Sequence, residues 1–241
     1  SRACSNRAVA DRVAILASMQ TLAGRRLIIF GCGYVGSALA EASLAAGASV
    51  TALTRNAFTA DALRRLGAQV VVGDLAEAAW HASIPGGADY AVNCVSSGGG
   101  GLEAYRRSYV GGMASIAAWA GAREVGTLVY TSSTSVYPQG DGQRIDEDAV
   151  TAPASERAAL LLETEATVRR PGSGWAHGVV LRLAGIYGPG RHHLLDQVRA
   201  GEVAGRPETH LSVIHRDDIV SAILACLTIA AIGAGGVFNL A

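Results

Sequence analysis

The sequence predicts an α/β fold in which a doubly wound parallel sheet carries helices on both faces. Short apolar runs alternate with helix-forming segments five times between residues 27 and 133, the pattern typical of βαβ units. The first run, 27–30, leads into Gly31-Cys32-Gly33-Tyr34-Val35-Gly36 and then into an Ala-rich helix former. With 241 residues and 50% hydrophobic content, the chain is long enough to bury such a sheet.

The later elements follow from the same signals. Apolar and β-branched runs predict strands at 27–30, 48–55, 69–75, 90–97, 127–133, from 178 onward, 211–215 and 237–240. Helix formers predict helices at 37–46, 61–66, 102–120, 154–170 and 216–229. We treat 27–241 as one dinucleotide-binding domain of Rossmann type, with substrate-side insertions at 138–153 and 185–215.

Residues 1–26 form an N-terminal extension that we expect to be helical. The segment carries Arg2, Arg7 and Arg12 with a single acid, Asp11, around apolar residues. A surface helix, an artefact of an upstream start site and an organelle transit segment all remain open.

Composition favours a small-molecule partner. The 20 basic and 20 acidic residues cancel, so no basic field predicts nucleic acid binding, and no apolar run is long enough to span a membrane. The cysteines Cys4, Cys32, Cys94 and Cys226 lack metal-ligand spacing, which predicts reduced thiols in a cytoplasmic protein without a metal site. All 20 basic residues are Arg.

The glycine-rich turn after the first strand predicts a phosphate site. Gly31 permits a tight turn, Gly33 lets the backbone approach a pyrophosphate, and Gly36 lets the helix pack on its strand. The spacing alone is weak evidence, because the chain contains 30 glycines and an ordinary strand-turn-helix is the alternative.

The ends of the second and third strands suggest which dinucleotide binds. Thr54 and Arg55 stand where an acid would bind the ribose of NAD, and a hydroxyl with a guanidinium suits a 2′-phosphate, so NADP(H) is favoured over NAD(H). The alternative is that Arg55 only ends a strand. Asp74 is placed to accept from the adenine amino group, or else it is a solvated loop residue.

A cationic loop follows the sixth strand. Arg191, His192 and His193 come directly after Gly188-Pro189-Gly190, at the sheet edge where ligands bind. This loop predicts a clamp for an anionic substrate, with Arg191, His192 and His215 as candidate substrate residues, although solvated roles for the histidines are the alternative.

Taken in order, five motifs make the chain resemble the extended short-chain dehydrogenase/reductase superfamily, of the NAD(P)-dependent epimerase/dehydratase type. They are the glycine turn at 31–36, Gly73-Asp74-Leu75, Tyr130-Thr131-Ser132-Ser133-Thr134-Ser135-Val136-Tyr137, Leu181-Arg182-Leu183-Ala184-Gly185-Ile186-Tyr187-Gly188-Pro189-Gly190, and Ile214-His215-Arg216-Asp217-Asp218-Ile219. The resemblance covers about 27–240.

The resemblance implies that the glycine turn holds the pyrophosphate, that Asp74 and Leu75 contact adenine, and that 131–133 and 184–186 lie near the nicotinamide. The candidate cofactor residues are Gly31, Gly33, Tyr34, Val35, Gly36, Thr54, Arg55, Asp74, Leu75, Cys94, Val95, Thr131, Ser132, Ala184, Gly185 and Ile186.

The chain departs from the superfamily at the proton-transfer pair. Ser155 and Ala159 stand where hydride-transferring members have Tyr and Lys, and the chain contains no Lys at all. Ser133 of the usual constellation remains as the candidate that orients a carbonyl. The acid/base candidates are Tyr137, Ser155, Arg157 and His215, although the Tyr after this Ser cluster is usually structural in the family.

These departures resemble an atypical branch of the superfamily and leave two functions open. One is an NAD(P)-dependent oxidoreductase, epimerase or dehydratase acting on a small anionic or sugar-like substrate. The other is a non-catalytic NAD(P)-binding sensor or structural subunit. Extended members carry more chain after the Phe-Asn-Leu strand, so we expect either a fragment or a reduced substrate portion, and a homodimer is one option for its assembly.

Overall fold

A computed structural model describes residues 22–140, 142–202, 211–230 and 235–241. The strands are β1 (Arg26–Phe30), β2 (Ser49–Thr54), β3 (Gln69–Val72), β4 (Ala88–Asn93), β5 (Val125–Ser133), β6 (Trp175–Leu183), β7 (Gly185–Tyr187), β8 (Val213–His215) and β9 (Gly236–Leu240). The helices are α1 (Tyr34–Ala45), α2 (Ala57–Arg65), α3 (Leu102–Arg106), α4 (Gly112–Ala120), α5 (Glu156–Arg169), α6 (His193–Ala200) and α7 (Arg216–Ala230). The helical extension expected at 1–26 lies mostly outside the described residues.

Seven strands form one parallel sheet in the order β3-β2-β1-β4-β5-β6-β9. This confirms the predicted doubly wound Rossmann-like sheet. The strand order reverses between β1 and β4, whose paired ends are Phe30 and Asn93. The crevice beyond the carboxyl ends of these two strands is therefore the place where such a sheet binds a ligand.

The two faces of β1 enter separate apolar layers because successive side chains of a strand point in opposite directions. Ile29 packs with Leu39 of α1 and Ile223 of α7. Phe30 packs with Trp80 and Trp119 on the other face, at ring-centroid distances of 5.1 and 5.9 Å. Because both layers cover β1, the strand is buried and holds the following turn firmly.

Several boundaries differ from the prediction for local reasons. Helix α2 begins at Ala57 rather than at 61, because the Asn56 side chain accepts a hydrogen bond from the Thr59 amide and caps it. The helix predicted at 102–120 contains a π turn, Arg107–Gly111. The strand predicted from 178 onward begins earlier, at Trp175, and ends at Leu183. After it, β7 pairs with β8 in a separate two-stranded sheet. Within the described residues, no helix is long and apolar enough to cross a bilayer.

Candidate functional site

The glycine turn after β1 forms an open cradle at the strand-order reversal. Gly31 has φ +87°, and a Cβ there would lie 2.6 Å from the Val95 side chain, so only glycine fits. A Cβ on Gly36 would collide with the carbonyl oxygen of Gly31, which shows how tightly α1 packs on the turn. Gly33 is exposed with nothing within 4 Å of its Cβ position. The turn therefore leaves open space beside the first amides of α1, which is the geometry of a phosphate-binding helix N-terminus.

A cleft of about 310 Å³ opens from this turn along the carboxyl ends of β2, β3 and β4. It brings together eight of the predicted cofactor residues, which are Gly31, Gly33, Thr54, Arg55, Asp74, Leu75, Cys94 and Val95. The sequence reasoning missed other lining residues, namely Cys32, Leu53, Asn56, Thr59, Gly73, Ser96 and Gly98. Most of these are chain neighbours of predicted residues.

Two thiols line this cleft and stay protonated at neutral pH. Burial raises the pKa of Cys32 to about 12, and burial together with the neighbouring Cys32 raises the pKa of Cys94 to about 12. Cys226 is also a free thiol, and burial raises its pKa to about 11.

Arg55 lies at the rim of the cleft, next to the beginning of α2. Its side chain is 55% exposed, and its Nη1 lies 3.9 Å from Asp74 Oδ2. The Thr54 hydroxyl accepts from the Asn56 amide at 3.2 Å. A guanidinium, a hydroxyl and a capped helix N-terminus thus stand together at the end of β2.

Asp74 is held in place by an arginine that sequence reasoning missed. Its Oδ1 accepts from the Ala76 amide at 3.0 Å, and its Oδ2 accepts from Arg107 Nε and Nη2, both at 3.2 Å. Partial burial raises the pKa of Asp74, but the Ala76 amide, Arg107 and Arg55 outweigh this effect and hold it below its usual value. Arg107 also donates to Glu77 at 2.7 Å. No local pattern marks Arg107, which reaches Asp74 only through the packing of the π turn.

The start of α1 meets the loop that follows β7. The Tyr34 hydroxyl donates to the Pro189 carbonyl at 3.0 Å. The guanidinium carbons of Arg191 and Arg216 lie 5.7 and 5.3 Å from the centre of the Tyr34 ring. A second cleft, of about 390 Å³, lies here and is lined by Gly33, Tyr34 and Arg216 among others. Predicted substrate residue Arg191 therefore stands next to the predicted cofactor residue Tyr34.

The two candidate histidines accept hydrogen bonds from nearby backbone amides. His192 Nε2 accepts from the Gly190 amide at 3.3 Å, and His215 Nδ1 accepts from the Asp217 amide at 3.2 Å. The His215 ring also packs edge-on against Tyr187 at 5.2 Å.

The candidate catalytic residues have different surroundings in the structure. Ser133 ends β5 partly exposed, and its Oγ accepts from the Ser135 amide at 3.2 Å. Ser155 caps α5, because its side chain accepts from the Ala158 amide at 3.1 Å. Tyr137 is 7% exposed, and its hydroxyl accepts from Arg182 Nη1 at 2.7 Å and donates to Asn239 Oδ1 at 2.9 Å. The hydroxyl of Tyr137 is thus engaged inside the protein.

The remaining predicted cofactor residues do not line the first cleft. Val35 and Gly36 are buried in α1. The Ser132 hydroxyl donates to Glu165 Oε1 of α5 at 2.6 Å, in the protein interior. Thr131 donates its hydroxyl to the Asn93 carbonyl at 3.2 Å. Of the others, Ala184 lies between β6 and β7, and Gly185 and Ile186 begin β7.

Comparisons with known proteins agree with this geometry. The sequence profile of the NAD dependent epimerase/dehydratase family matches residues 27–241. A structure from Methylobacillus flagellatus, provisionally described as an NAD-dependent epimerase/dehydratase, is 25% identical with a TM-score of 0.71 and covers 90% of this chain and 75% of that chain. A conserved protein of unknown function from Silicibacter pomeroyi is 26% identical with a TM-score of 0.63, covering 90% and 72%.

Other relatives are matched over less sequence or by fold alone. Protein YeeZ of Escherichia coli is 31% identical over 112 residues, which are 44% of this chain and span only 37% of the length of YeeZ. The UDP-Glc/GlcNAc 4-epimerase of Campylobacter jejuni shares the fold, with 17% identity, a TM-score of 0.74 and coverage of 90% and 78%. Since the family profile matches the whole sheet and its glycine turn, this chain belongs to the NAD dependent epimerase/dehydratase family.

Proposed function

We propose that the chain is an NADP(H)-dependent oxidoreductase, epimerase or dehydratase acting on a small anionic or sugar-like molecule. The observation that carries this proposal is the open Gly33 cradle at the strand-order reversal, from which a cleft runs to Arg55. A dinucleotide needs both features, a place for its pyrophosphate and a place for its adenosine half.

The preference for NADP(H) rests on the surroundings of Arg55. Asp74 is the carboxylate that could neutralise it, but Asp74 already accepts twice from Arg107 at 3.2 Å, against an approach of 3.9 Å from Arg55. The donors of Arg55 therefore stay available for a 2′-phosphate, and the capped N-terminus of α2 adds a favourable dipole.

In this proposal, different residues of the chain bind the cofactor and the substrate. Gly31, Gly33 and the first amides of α1 hold the pyrophosphate, and Thr54 and Arg55 hold the 2′-phosphate. The bound nicotinamide supplies a hydride acceptor or donor. Ser133, partly exposed at the end of β5, orients the substrate carbonyl by a hydrogen bond.

In this proposal Tyr137 and Ser155 stabilise the fold and do not take part in catalysis. Tyr137 is buried against Arg182 and Asn239, and Ser155 caps a helix. This engagement favours the second candidate, a dinucleotide-binding sensor or subunit without turnover, because neither hydroxyl is poised to exchange a proton with a substrate.

Cofactor choice is tested by titrating NADPH and NADH fluorescence with wild type, Arg55→Gln and Arg64→Gln. Arg64 is an exposed control on α2, paired with Asp61. We expect NADPH to bind at least tenfold more tightly than NADH, and only Arg55→Gln to lose this difference, since one charged hydrogen bond is worth about that factor. Tighter binding of NADH would overturn the preference.

The reaction is tested by hydride-transfer assays over sugar nucleotides and small hydroxy and keto acids. Turnover that disappears in Ser133→Ala supports the role of Ser133, and turnover that survives removes it from the mechanism. Tight cofactor binding without turnover across the panel would favour the sensor.

A further inference from the structure

We propose that Arg191 and Arg216 form an arginine clamp that closes over the pyrophosphate of the dinucleotide. The clamp rests on the proposed function, because it acts on the cofactor bound at the glycine turn. It assigns Arg191, which the sequence suggests as a substrate residue, to cofactor binding.

The first step of the argument is the position of Tyr34. This residue opens α1 and directly follows the exposed Gly33, so its ring stands at the edge of the phosphate cradle. Both guanidinium carbons lie within 5.7 Å of the ring centre, a distance typical of cation–π contacts. The ring thus holds two positive groups at the residue that begins α1.

The second step is the anchoring of the loop that carries Arg191. The Tyr34 hydroxyl holds the Pro189 carbonyl, and the Arg191 amide donates to the Gly188 carbonyl at 2.9 Å. Gly188 has φ +142°, and a Cβ there would lie 2.8 Å from the Tyr34 hydroxyl and 3.0 Å from His215 Nε2. Because only glycine allows this approach, the loop backbone is fixed against α1.

The third step is charge. Helix α1 has no acidic residue in its first turn and no side-chain cap at Gly33. Arg216 lines the cleft that includes Gly33, and within the described part of the chain only its Nε donates a hydrogen bond, to Asp217 at 2.8 Å. Among the residues that the structure describes, no carboxylate oxygen lies within 4.0 Å of the exposed Arg191 guanidinium. Both arginines therefore have donors available for an anion, and a pyrophosphate is the anion that the cradle accommodates.

The test separates the pyrophosphate from the rest of the cofactor. Calorimetric titrations use ADP-ribose, which has a pyrophosphate, and adenosine 2′-monophosphate, which has none. The proteins are wild type, Arg191→Met, Arg216→Met and, as control, Arg199→Met, an exposed arginine of α6 paired with Asp196.

We expect each clamp variant to weaken ADP-ribose binding about tenfold and to leave adenosine 2′-monophosphate within twofold of wild type. The control should leave both affinities unchanged. Arg191→Lys should recover part of the loss, because it restores the charge without the planar fork.

Three results would overturn the clamp. ADP-ribose binding as tight as wild type in both variants would show that the arginines do not touch the pyrophosphate. Equal weakening of both ligands would mean that the substitutions disturb the cleft as a whole. If the wild-type protein bound neither ligand, the proposed function itself would be wrong. Failure of the clamp and failure of the proposed function therefore give different results.

Discussion

Arg182 and Glu165 form a buried, two-pronged ion pair between β6 and α5. Nε lies 3.1 Å from Oε1 and Nη2 lies 2.8 Å from Oε2, and the side chains are 5% and 4% exposed. The Ser132 hydroxyl donates to the same carboxylate, and the third arm of Arg182 donates to Tyr137. The pair thus connects β5, β6 and α5 just below the sheet edge.

Breaking this pair should destabilise the protein strongly. We expect Glu165→Leu or Arg182→Met to lower the free energy of unfolding by about 3–5 kcal/mol, because each leaves a charge buried without its partner. The double variant Arg182→Met/Glu165→Leu should lose less than the sum of the single changes. Urea unfolding of all four proteins gives this cycle, and additive losses would contradict the coupling.

Removing the Tyr137 hydroxyl separates a supporting role from a catalytic one. Tyr137→Phe leaves the buried Arg182 Nη1 and the partly buried Asn239 Oδ1 without this partner, so we expect the free energy of unfolding to fall by about 1–3 kcal/mol. NADPH affinity should stay within twofold. Unchanged stability together with lost turnover would return Tyr137 to the catalytic candidates.

Two substitutions test whether Ser155 stabilises the protein by capping α5. Ser155→Ala removes the acceptor for the Ala158 amide and should cost about 1 kcal/mol of stability. Ser155→Asp keeps an acceptor at the same place and should retain most of the stability, as thermal unfolding would show. If Ser155→Asp were as unstable as Ser155→Ala, the cap would not be the reason for this serine.

The thiols of Cys32 and Cys94 predict slow alkylation. Since burial raises the pKa of Cys32 and Cys94 to about 12, both are thiols rather than thiolates at pH 8. Peptide mapping after iodoacetamide treatment should find them unmodified in the native protein and modified in urea. Rapid native modification of either would contradict the raised pKa on which this prediction rests.

Asp89 predicts a dependence of stability on pH. Partial burial raises its pKa, but the Arg26 amide, which donates at 2.8 Å, and the Arg25 side chain outweigh this effect and lower it. A lowered pKa stabilises the folded state above the unfolded value of about 3.9, and the effect is lost as pH falls through the folded value.

Asp89→Asn should therefore be less stable than wild type at pH 7, and the difference should shrink below about pH 4. Urea unfolding at pH 7 and pH 3 measures this difference. Asp61→Asn is the control, because Asp61 is exposed in a surface pair. A difference at pH 3 as large as the one at pH 7 would point to the amide substitution itself rather than to the charge.

The sheet could be predicted from sequence because its signals are local. Apolar runs mark each strand, and Gly31 and Gly36 mark the turn, since a Cβ at either position would meet neighbouring atoms. The Tyr137 hydroxyl and Arg107 could not be placed in the same way. Their partners, Asn239 and Asp74, are 102 and 33 residues away, so the contacts exist only after packing.

The hydrogen bond from Tyr34 to the Pro189 carbonyl joins two segments that are 155 residues apart. It links the glycine turn to the loop after β7, so that a ligand that orders either segment favours order in the other. Thermodynamic linkage is reciprocal. If the dinucleotide binds at the glycine turn as proposed, a substrate that orders this loop therefore tightens dinucleotide binding by the same factor by which the dinucleotide tightens substrate binding.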